Sequence, residues 1–126
     1  WELFSAKQPV TSKSLMKTKK LLSDQELEIA INGIILPSFE LIEDKWKTIE
    51  TIDGPIHLVD IKFELGFKVS DNSLVLSDVV DNDSWRIWPS GDPTKQLDKQ
   101  SFREGEDLVN VANKYQLVTQ LTDQFN

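Results

Sequence analysis

The stretch from residue 57 to residue 66, HLVDIKFELG, constrains the fold more than any other part of this chain. Successive side chains of an extended segment point to opposite faces, so apolar and charged residues separate here. One face carries side chains typical of core packing: Val59, Ile61, Phe63 and Leu65. The other face carries two carboxylates and an amine at steps of about 6.6–6.8 Å: Asp60, Lys62 and Glu64. The pattern predicts a strand with one buried face and one charged face.

A second apolar run, residues 74–80, follows the turn-like residues 70–73 and adds a third carboxylate, Asp78. Acidic groups that converge from two paired strands can hold a divalent metal, and a nearby lysine suits a phosphate group. The alternative is a half-exposed hairpin with a charged outer face and no ligand.

The register of this hairpin decides whether Asp78 joins Glu64. With a two-residue turn at Asp71 and Asn72, Asp78 is placed opposite Leu65, on the apolar face. A shared site requires an odd loop or a one-residue bulge, and Gly66 is the natural place for a bulge. An even hairpin without a bulge therefore contradicts the shared site.

Composition excludes several classes of protein. A chain of 126 residues, 39% hydrophobic and 28% charged, is typical of one soluble globular domain. A net charge of −7 argues against a general nucleic-acid binder, because phosphate contacts need a basic surface. The absence of cysteine excludes disulfides and thiolate metal sites and fits a reducing compartment. We find neither a membrane-spanning apolar stretch nor a signal-peptide core, and we expect a cytoplasmic protein.

Amphipathic helices are predicted on both sides of the strands. A short one covers about residues 14–22, where clustered lysines either attract an anion or form a solvated face. Ser23 and Glu26 have the form of a capping box, so a second helix begins there. Pro37 should kink or end that helix, and Ser38 can then cap a further piece over residues 39–46. A last helix covers residues 107–125.

Two polar segments between the strands and the last helix carry candidate ligand groups. Residues 81–93 are too rich in turn formers for regular structure, yet they contain Arg86 between two tryptophans. The alternative is that both indoles merely pin this loop to the core. Asp98 can cap a helix on which Lys99 and Arg103 lie four residues apart on one face. These two cations suit a phosphate or carboxylate ligand, or they form a solvated face.

Several of these segments together resemble the signature of SAICAR synthetase, phosphoribosylaminoimidazole-succinocarboxamide synthase. The resemblance begins at residues 58–66, with Leu65 where phenylalanine is usual. It continues through residues 74–78, 81–92 and 98–103, so the matching core covers roughly residues 57–104. The NDSWRIWPSGD form resembles the animal bifunctional enzyme, in which the synthetase is fused to an aminoimidazole ribonucleotide (AIR) carboxylase.

The resemblance implies an ATP-dependent carbon–nitrogen ligase of purine biosynthesis. Such enzymes join carboxyaminoimidazole ribonucleotide to L-aspartate, using Mg²⁺ and ATP to activate the carboxylate as an acyl phosphate. It implies that Glu64 and Asp78 hold Mg²⁺ against the ATP phosphates, that Lys62 lies beside those phosphates, and that Asp60 acts in the same pocket by orienting Lys62. It further implies a group of residues that bind the ribonucleotide: Ser84, Arg86, Lys99 and Arg103.

We therefore expect an α+β fold, a short antiparallel sheet backed by helices, like the C-terminal lobe of a SAICAR synthetase and similar to ATP-grasp enzymes. Residues 1–126 are expected to form one domain, the C-terminal half of the enzyme, inactive alone and partnered by an N-terminal lobe, a carboxylase domain or a homo-oligomer. An alternative from another class is an inactive interaction module of the same fold. A generic Ca²⁺ site is weaker, since EF-hand spacing is absent and Lys99 and Arg103 stay unexplained.

Overall fold

A three-stranded antiparallel sheet organises the protein in the computed structural model, which describes residues 3–4, 10–11, 22–98 and 105–125. Its strand order is β3 (Glu50–Thr51), β4 (Gly54–Ile61) and β7 (Trp85–Pro89). Two further antiparallel pairs are β1 (Leu3–Phe4) with β2 (Val10–Thr11), and β5 (Glu64–Phe67) with β6 (Leu74–Ser77). The predicted α+β class with short antiparallel sheets is confirmed.

The strand predicted over residues 57–66 is in fact two strands. β4 ends at Ile61 and β5 begins at Glu64, and each pairs with a different partner. A register shift between Leu58 and Asp60 leaves Val59 as a bulge. Since one inserted residue reverses the alternation of faces, Leu58 is buried and Val59 is not. The predicted apolar face that began at Val59 was therefore wrong at this position.

The first described helix begins where the sequence predicts. The Ser23 hydroxyl accepts a hydrogen bond from the Glu26 amide (3.2 Å), and the Glu26 carboxylate accepts one from the Ser23 amide (2.7 Å), so the capping box is confirmed. Helix α1 (Asp24–Glu28) then continues into a π-helical segment (Ile29–Ile35). The serine lowers the pKa of Glu26, because both hydrogen bonds favour the carboxylate.

The predicted interruption at Pro37 was wrong. Helix α2 (Leu36–Lys47) follows the π-helical segment directly, with the proline in its first turn and Ser38 inside it. Proline is tolerated in the first turn of an α-helix because its fixed φ already suits the helix. The π-helical segment before it ends with a hydrogen bond from the Leu36 amide to the Ile31 carbonyl. It leads directly into α2, so no new N-cap is needed.

The core lies between the sheet, α2 and the last helix, α3 (Leu108–Thr122), and Trp46 stands at its centre. Its fully buried ring packs edge-on against Trp85, with centroids 5.3 Å apart, and against Phe125 at 4.7 Å. The predicted last helix is present, with Asp107 capping it through the Val109 amide. Its buried residues, Val118 and Leu121, lie in its second half, whereas Leu108 in its first turn is exposed.

Residues 81–93 contain regular structure that the sequence analysis did not predict. Strand β7 occupies the middle of this segment, and Trp85 and Ile87 alternate into the core. The turn formers lie on both sides of the strand. The composition of the whole segment therefore hid the five residues between them, whose burial alternates as in a strand.

No helix in the described ranges is both long and apolar enough to cross a membrane. The predicted helix over residues 14–22 with its lysine cluster lies outside the described residues, as do Lys99 and Arg103.

Candidate functional site

Asp60 and Arg86 form an ion pair across β4 and β7. They are direct cross-strand partners, and the bulge at Val59 gives Asp60 this position. The Arg86 Nε donates to both carboxylate oxygens, at 3.0 and 2.9 Å, and Nη2 also donates to Oδ2. This contact with Asp60 raises the pKa of Arg86, and more distant attraction by Asp98 adds to it. Arg86 is therefore held in a defined orientation while about half of its side chain is exposed.

Lys62 and Glu64 form a second ion pair immediately along the chain. The Lys62 Nζ donates to Glu64 Oε1, and more than half of each side chain is exposed. This hydrogen bond raises the pKa of Lys62, and attraction by Asp78 and Asp81 raises it further. Three carboxylates thus act on one ammonium group. In this arrangement Lys62 is oriented by Glu64, while Asp60 contacts Arg86.

The hairpin of β5 and β6 answers the register question. Glu64 pairs with Ser77 and Gly66 with Val75, the loop runs over the even stretch 68–73, and no bulge interrupts the ladder. The bulge expected at Gly66 was wrong, and the even hairpin contradicts the prediction that strand pairing brings Asp78 to the face of Glu64. Asp78 instead leaves β6 with a φ of 71°, and its carboxylate still acts on Lys62.

A tight turn at residues 81–84 connects the two ion pairs. The Ser84 amide donates to the Asp81 carbonyl (2.9 Å), and the Ser84 carbonyl accepts from the Lys62 amide (2.7 Å). The Ser84 hydroxyl lies 3.2 Å from Asp81 Oδ1 and 3.3 Å from the Val79 carbonyl. Ser84 therefore joins the turn, the start of β7 and the backbone of Lys62 in one hydrogen-bonded unit.

A buried polar network below this turn was missed by the sequence analysis. Asn82 donates to the Leu97 carbonyl (3.2 Å) and accepts from the Trp85 indole N–H (2.9 Å). Asp98 is only 1% exposed, and its carboxylate accepts from the Ile87 amide (3.1 Å). Asp98 was predicted to cap a helix, and the residues of that helix lie outside the described part. One signal of this network was present in the sequence: Asn82 and Asp98 both lie within the motifs of residues 81–92 and 98–103.

Tyr115 of α3 makes a further contact that the sequence did not indicate. Its hydroxyl donates to Asp83 Oδ1 at 2.7 Å. Burial, followed by this bond and by the charge of Asp83, raises the pKa of Tyr115 far above its usual range. The phenol is therefore a neutral donor at any physiological pH.

The acidic residues fit a metal that is bound together with phosphate. In the described ranges no three carboxylate or imidazole side chains converge as a metal site would require. Glu64 and Asp78 nevertheless offer hard oxygen donors, and both attract the Lys62 ammonium group, Glu64 through a direct hydrogen bond. Mg²⁺ commonly takes one or two carboxylates and completes its shell with substrate phosphates and water. This donor set suits Mg²⁺ bound with a nucleotide better than Mg²⁺ alone.

Comparison with known proteins gives consistent matches. Residues 8–121 match the protein family described as SAICAR synthetase. The chain is 42% identical over 92 residues to the phosphoribosylaminoimidazole-succinocarboxamide synthase of Herpetosiphon aurantiacus, covering 69% of this chain and 35% of that protein. It is 48% identical over 71 residues to the mouse bifunctional phosphoribosylaminoimidazole carboxylase/phosphoribosylaminoimidazole succinocarboxamide synthetase, covering 56% and 16%.

Solved structures agree with these matches. The synthase from Ehrlichia chaffeensis superposes with a TM-score of 0.75 and 28% identity, over 94% of this chain and 47% of that one. A SAICAR synthetase in complex with ADP superposes with a TM-score of 0.69 and 25% identity, over 91% and 45%. The chain thus spans less than half the length of these relatives.

Proposed function

Since this chain belongs to the SAICAR synthetase family, we propose that it supplies the metal- and substrate-binding wall of an ATP-dependent ligase of purine biosynthesis. The proposed reaction joins carboxyaminoimidazole ribonucleotide to L-aspartate and gives SAICAR. The family and its ligase role rest on the whole-chain match. The substrates and the assignment of residues are the proposal.

The adjacent ion pairs Asp60–Arg86 and Lys62–Glu64 carry this proposal. Both are exposed, and each holds a cation in place with a carboxylate. A transferring phosphoryl group and an anionic ribonucleotide need fixed positive groups around their oxygens, most of all in an acidic protein. Pre-oriented cations at the surface meet this need without a large conformational change, which favours binding of anions over simple solvation.

We assign the residues as follows. Glu64 and Asp78 would hold Mg²⁺, which supplies charge neutralisation at the ATP phosphates. Lys62 would contact those phosphates, and Asp60 would orient Arg86 for the ribonucleotide, with Ser84 beside it. Lys99 and Arg103 would bind its charged groups as well. A SAICAR synthetase has been solved in complex with ADP, which supports nucleotide binding by this family.

The partners of this wall would be the rest of the synthetase and, as in the bifunctional relatives, a carboxylase domain. Apolar side chains on the β5–β6 hairpin, including Phe67, Val75 and Leu76, are substantially exposed and suit such a partner. A homo-oligomer and a cytoplasmic location complete the proposal.

Nucleotide binding by the full chain tests the assignment directly. We expect Mg-ADP to bind, and Lys62→Gln to weaken binding about ten-fold, as loss of a charge-assisted hydrogen bond to phosphate predicts. Lys47→Gln is the matched control, because Lys47 is also exposed and ion-paired but lies on α2. Calorimetric titration measures both variants. Equal affinities, or no Mg-ADP binding by the wild type, would contradict the assignment and favour the inactive interaction module.

The chemistry is tested by ATP-dependent condensation of the ribonucleotide with L-aspartate, measured in the natural full-length protein. Arg86→Lys should raise the KM for the ribonucleotide more than the KM for ATP, because a lysine cannot reproduce the planar fork of the guanidinium. A change confined to the KM for ATP would contradict the role of Arg86.

A further inference from the structure

The contact between Tyr115 and Asp83 joins the last helix to the turn between the two ion pairs. The two residues are 32 positions apart, and the 2.7 Å hydrogen bond between their side chains links α3 to this turn. Asp83 is exposed, so packing in the core does not hold its side chain in place. The Asp83 amide in turn donates to Asp81 Oδ1 at 2.9 Å, which closes the turn around the residue that Tyr115 holds.

This turn determines where Ser84 and Arg86 lie. Ser84 follows Asp83 directly, and its amide, hydroxyl and carbonyl are all bonded within the turn or to Lys62. Two residues further on, Arg86 enters β7 opposite Asp60. On its buried side the turn is held by Asn82, which binds Trp85 and Leu97. On its exposed side it is held by Tyr115. A displacement of Asp83 would therefore first move Ser84, the next residue in the turn.

We propose that Tyr115 is a positioning residue for ribonucleotide binding, acting through Asp83 on the turn that presents Ser84 and Arg86. This inference rests on the proposed function, because it takes these two residues as ribonucleotide ligands. In this role Tyr115 acts on the ribonucleotide site only through Asp83. Its hydroxyl is a fixed neutral donor that keeps the exposed Asp83 from relaxing into solvent, so the turn is already formed when the ligand arrives.

Tyr115→Phe removes this hydroxyl and leaves the ring in place. We expect the affinity of the full chain for SAICAR, used as the probe, to fall about ten-fold, the size expected for loss of one hydrogen bond to a charged group. The affinity for Mg-ADP should change by less than about two-fold, because Glu64, Lys62 and Asp78 keep their contacts. Thr119→Val is the matched control, since its hydroxyl bonds only within α3, to the Tyr115 carbonyl (3.0 Å).

Variants of Asp83 separate positioning from general stability. Asp83→Asn keeps an oxygen acceptor for the tyrosine and should retain most of the SAICAR affinity. Asp83→Ala should weaken SAICAR binding at least as much as Tyr115→Phe, and the double variant should be no weaker than Asp83→Ala alone, because both substitutions remove the bond between the two side chains. Hydrogen exchange of the Ser84 amide gives a readout without ligand, and it should accelerate in Tyr115→Phe but not in Thr119→Val.

The outcomes distinguish the inference from its premise. Failure of the wild type to bind SAICAR would contradict the proposed function and the inference with it. Wild-type binding with an unchanged Tyr115→Phe would overturn the inference alone. Equal losses for SAICAR and Mg-ADP, or additive losses in the double variant, would also overturn it, because they indicate a general loss of structure.

Discussion

Replacing Asn82 with alanine tests whether the buried network below the site holds the turn in place. The asparagine is 9% exposed, and its two bonds satisfy the Trp85 indole N–H and the Leu97 carbonyl, both in residues of the core. Its removal leaves a donor and an acceptor without these partners. Each unsatisfied buried group costs about 1–3 kcal/mol, so we expect a loss of about 2–4 kcal/mol in the free energy of unfolding. That is a large part of the ~5–15 kcal/mol of a typical domain.

Urea unfolding followed by far-ultraviolet circular dichroism measures this loss without relying on tryptophan emission. We also expect the melting temperature to fall on the order of 10 °C, by the usual relation between the two quantities. Asn113→Ala is the control, because Asn113 is exposed on α3 and alanine favours the helix. It should change the free energy of unfolding by less than about 0.5 kcal/mol.

A double-mutant cycle with Trp85→Phe assigns the cause. Phenylalanine has no indole N–H, so in that background Asn82→Ala no longer leaves a donor unpaired. The two losses should therefore be less than additive, by about 1 kcal/mol or more. Strict additivity, or an Asn82→Ala variant as stable as the Asn113→Ala control, would refute the reasoning.

Three further predictions concern the turn into β4, the last helix and the metal ligands. Gly54 has a φ of 103°, and an added Cβ would lie 2.1 Å from the Ser90 hydroxyl, so Gly54→Ala should destabilise by about 1–3 kcal/mol in urea unfolding. Gly33→Ala, whose Cβ would meet only Ile29 at 3.8 Å, should be neutral or stabilising, and equal effects would exclude backbone strain as the cause. Because the pKa of Tyr115 is raised in the fold, its hydroxyl contributes stability below the unfolded-state value of 10.0 that is lost as the pH rises further. The difference in unfolding free energy between wild type and Tyr115→Phe should thus be constant near pH 8 and shrink above pH 10, and growth of the difference would contradict the sign. Finally, Glu64→Gln should weaken ADP binding measured with Mg²⁺ but not ADP binding measured with a chelator, and equal weakening in both would contradict a metal role.

Local signals in the sequence were read correctly where neighbouring residues decide the outcome. The capping box of Ser23 and Glu26 lies within one helical turn, so its partners are given by spacing alone. The last helix, predicted over residues 107–125, is equally local, because apolar spacing within one segment indicates it. The motifs in residues 57–104 indicated the family, which the match over residues 8–121 shows.

The π-helical segment and β7 show where local reading failed. Pro37 was read as a break because its missing N–H is costly inside a helix, yet the structure places it in the first turn of α2, directly after a π-helical segment. The turn formers on both sides of residues 85–89 led us to predict a loop. The short strand there is stabilised by pairing with β4, which is distant in sequence and so contributes no local signal.

By itself, the sequence determined which charged groups this protein presents, the α+β class and the family. The tertiary structure alone decided which of those groups meet. Asp60 pairs with Arg86, 26 residues away, because a bulge at Val59 sets the register of β4 on β7. Asp78 attracts Lys62 although the ladder of β5 and β6 does not place it on the face of Glu64. Register and bulges arise from packing between distant segments, and a shift of one residue reverses every face, so no local pattern specifies them.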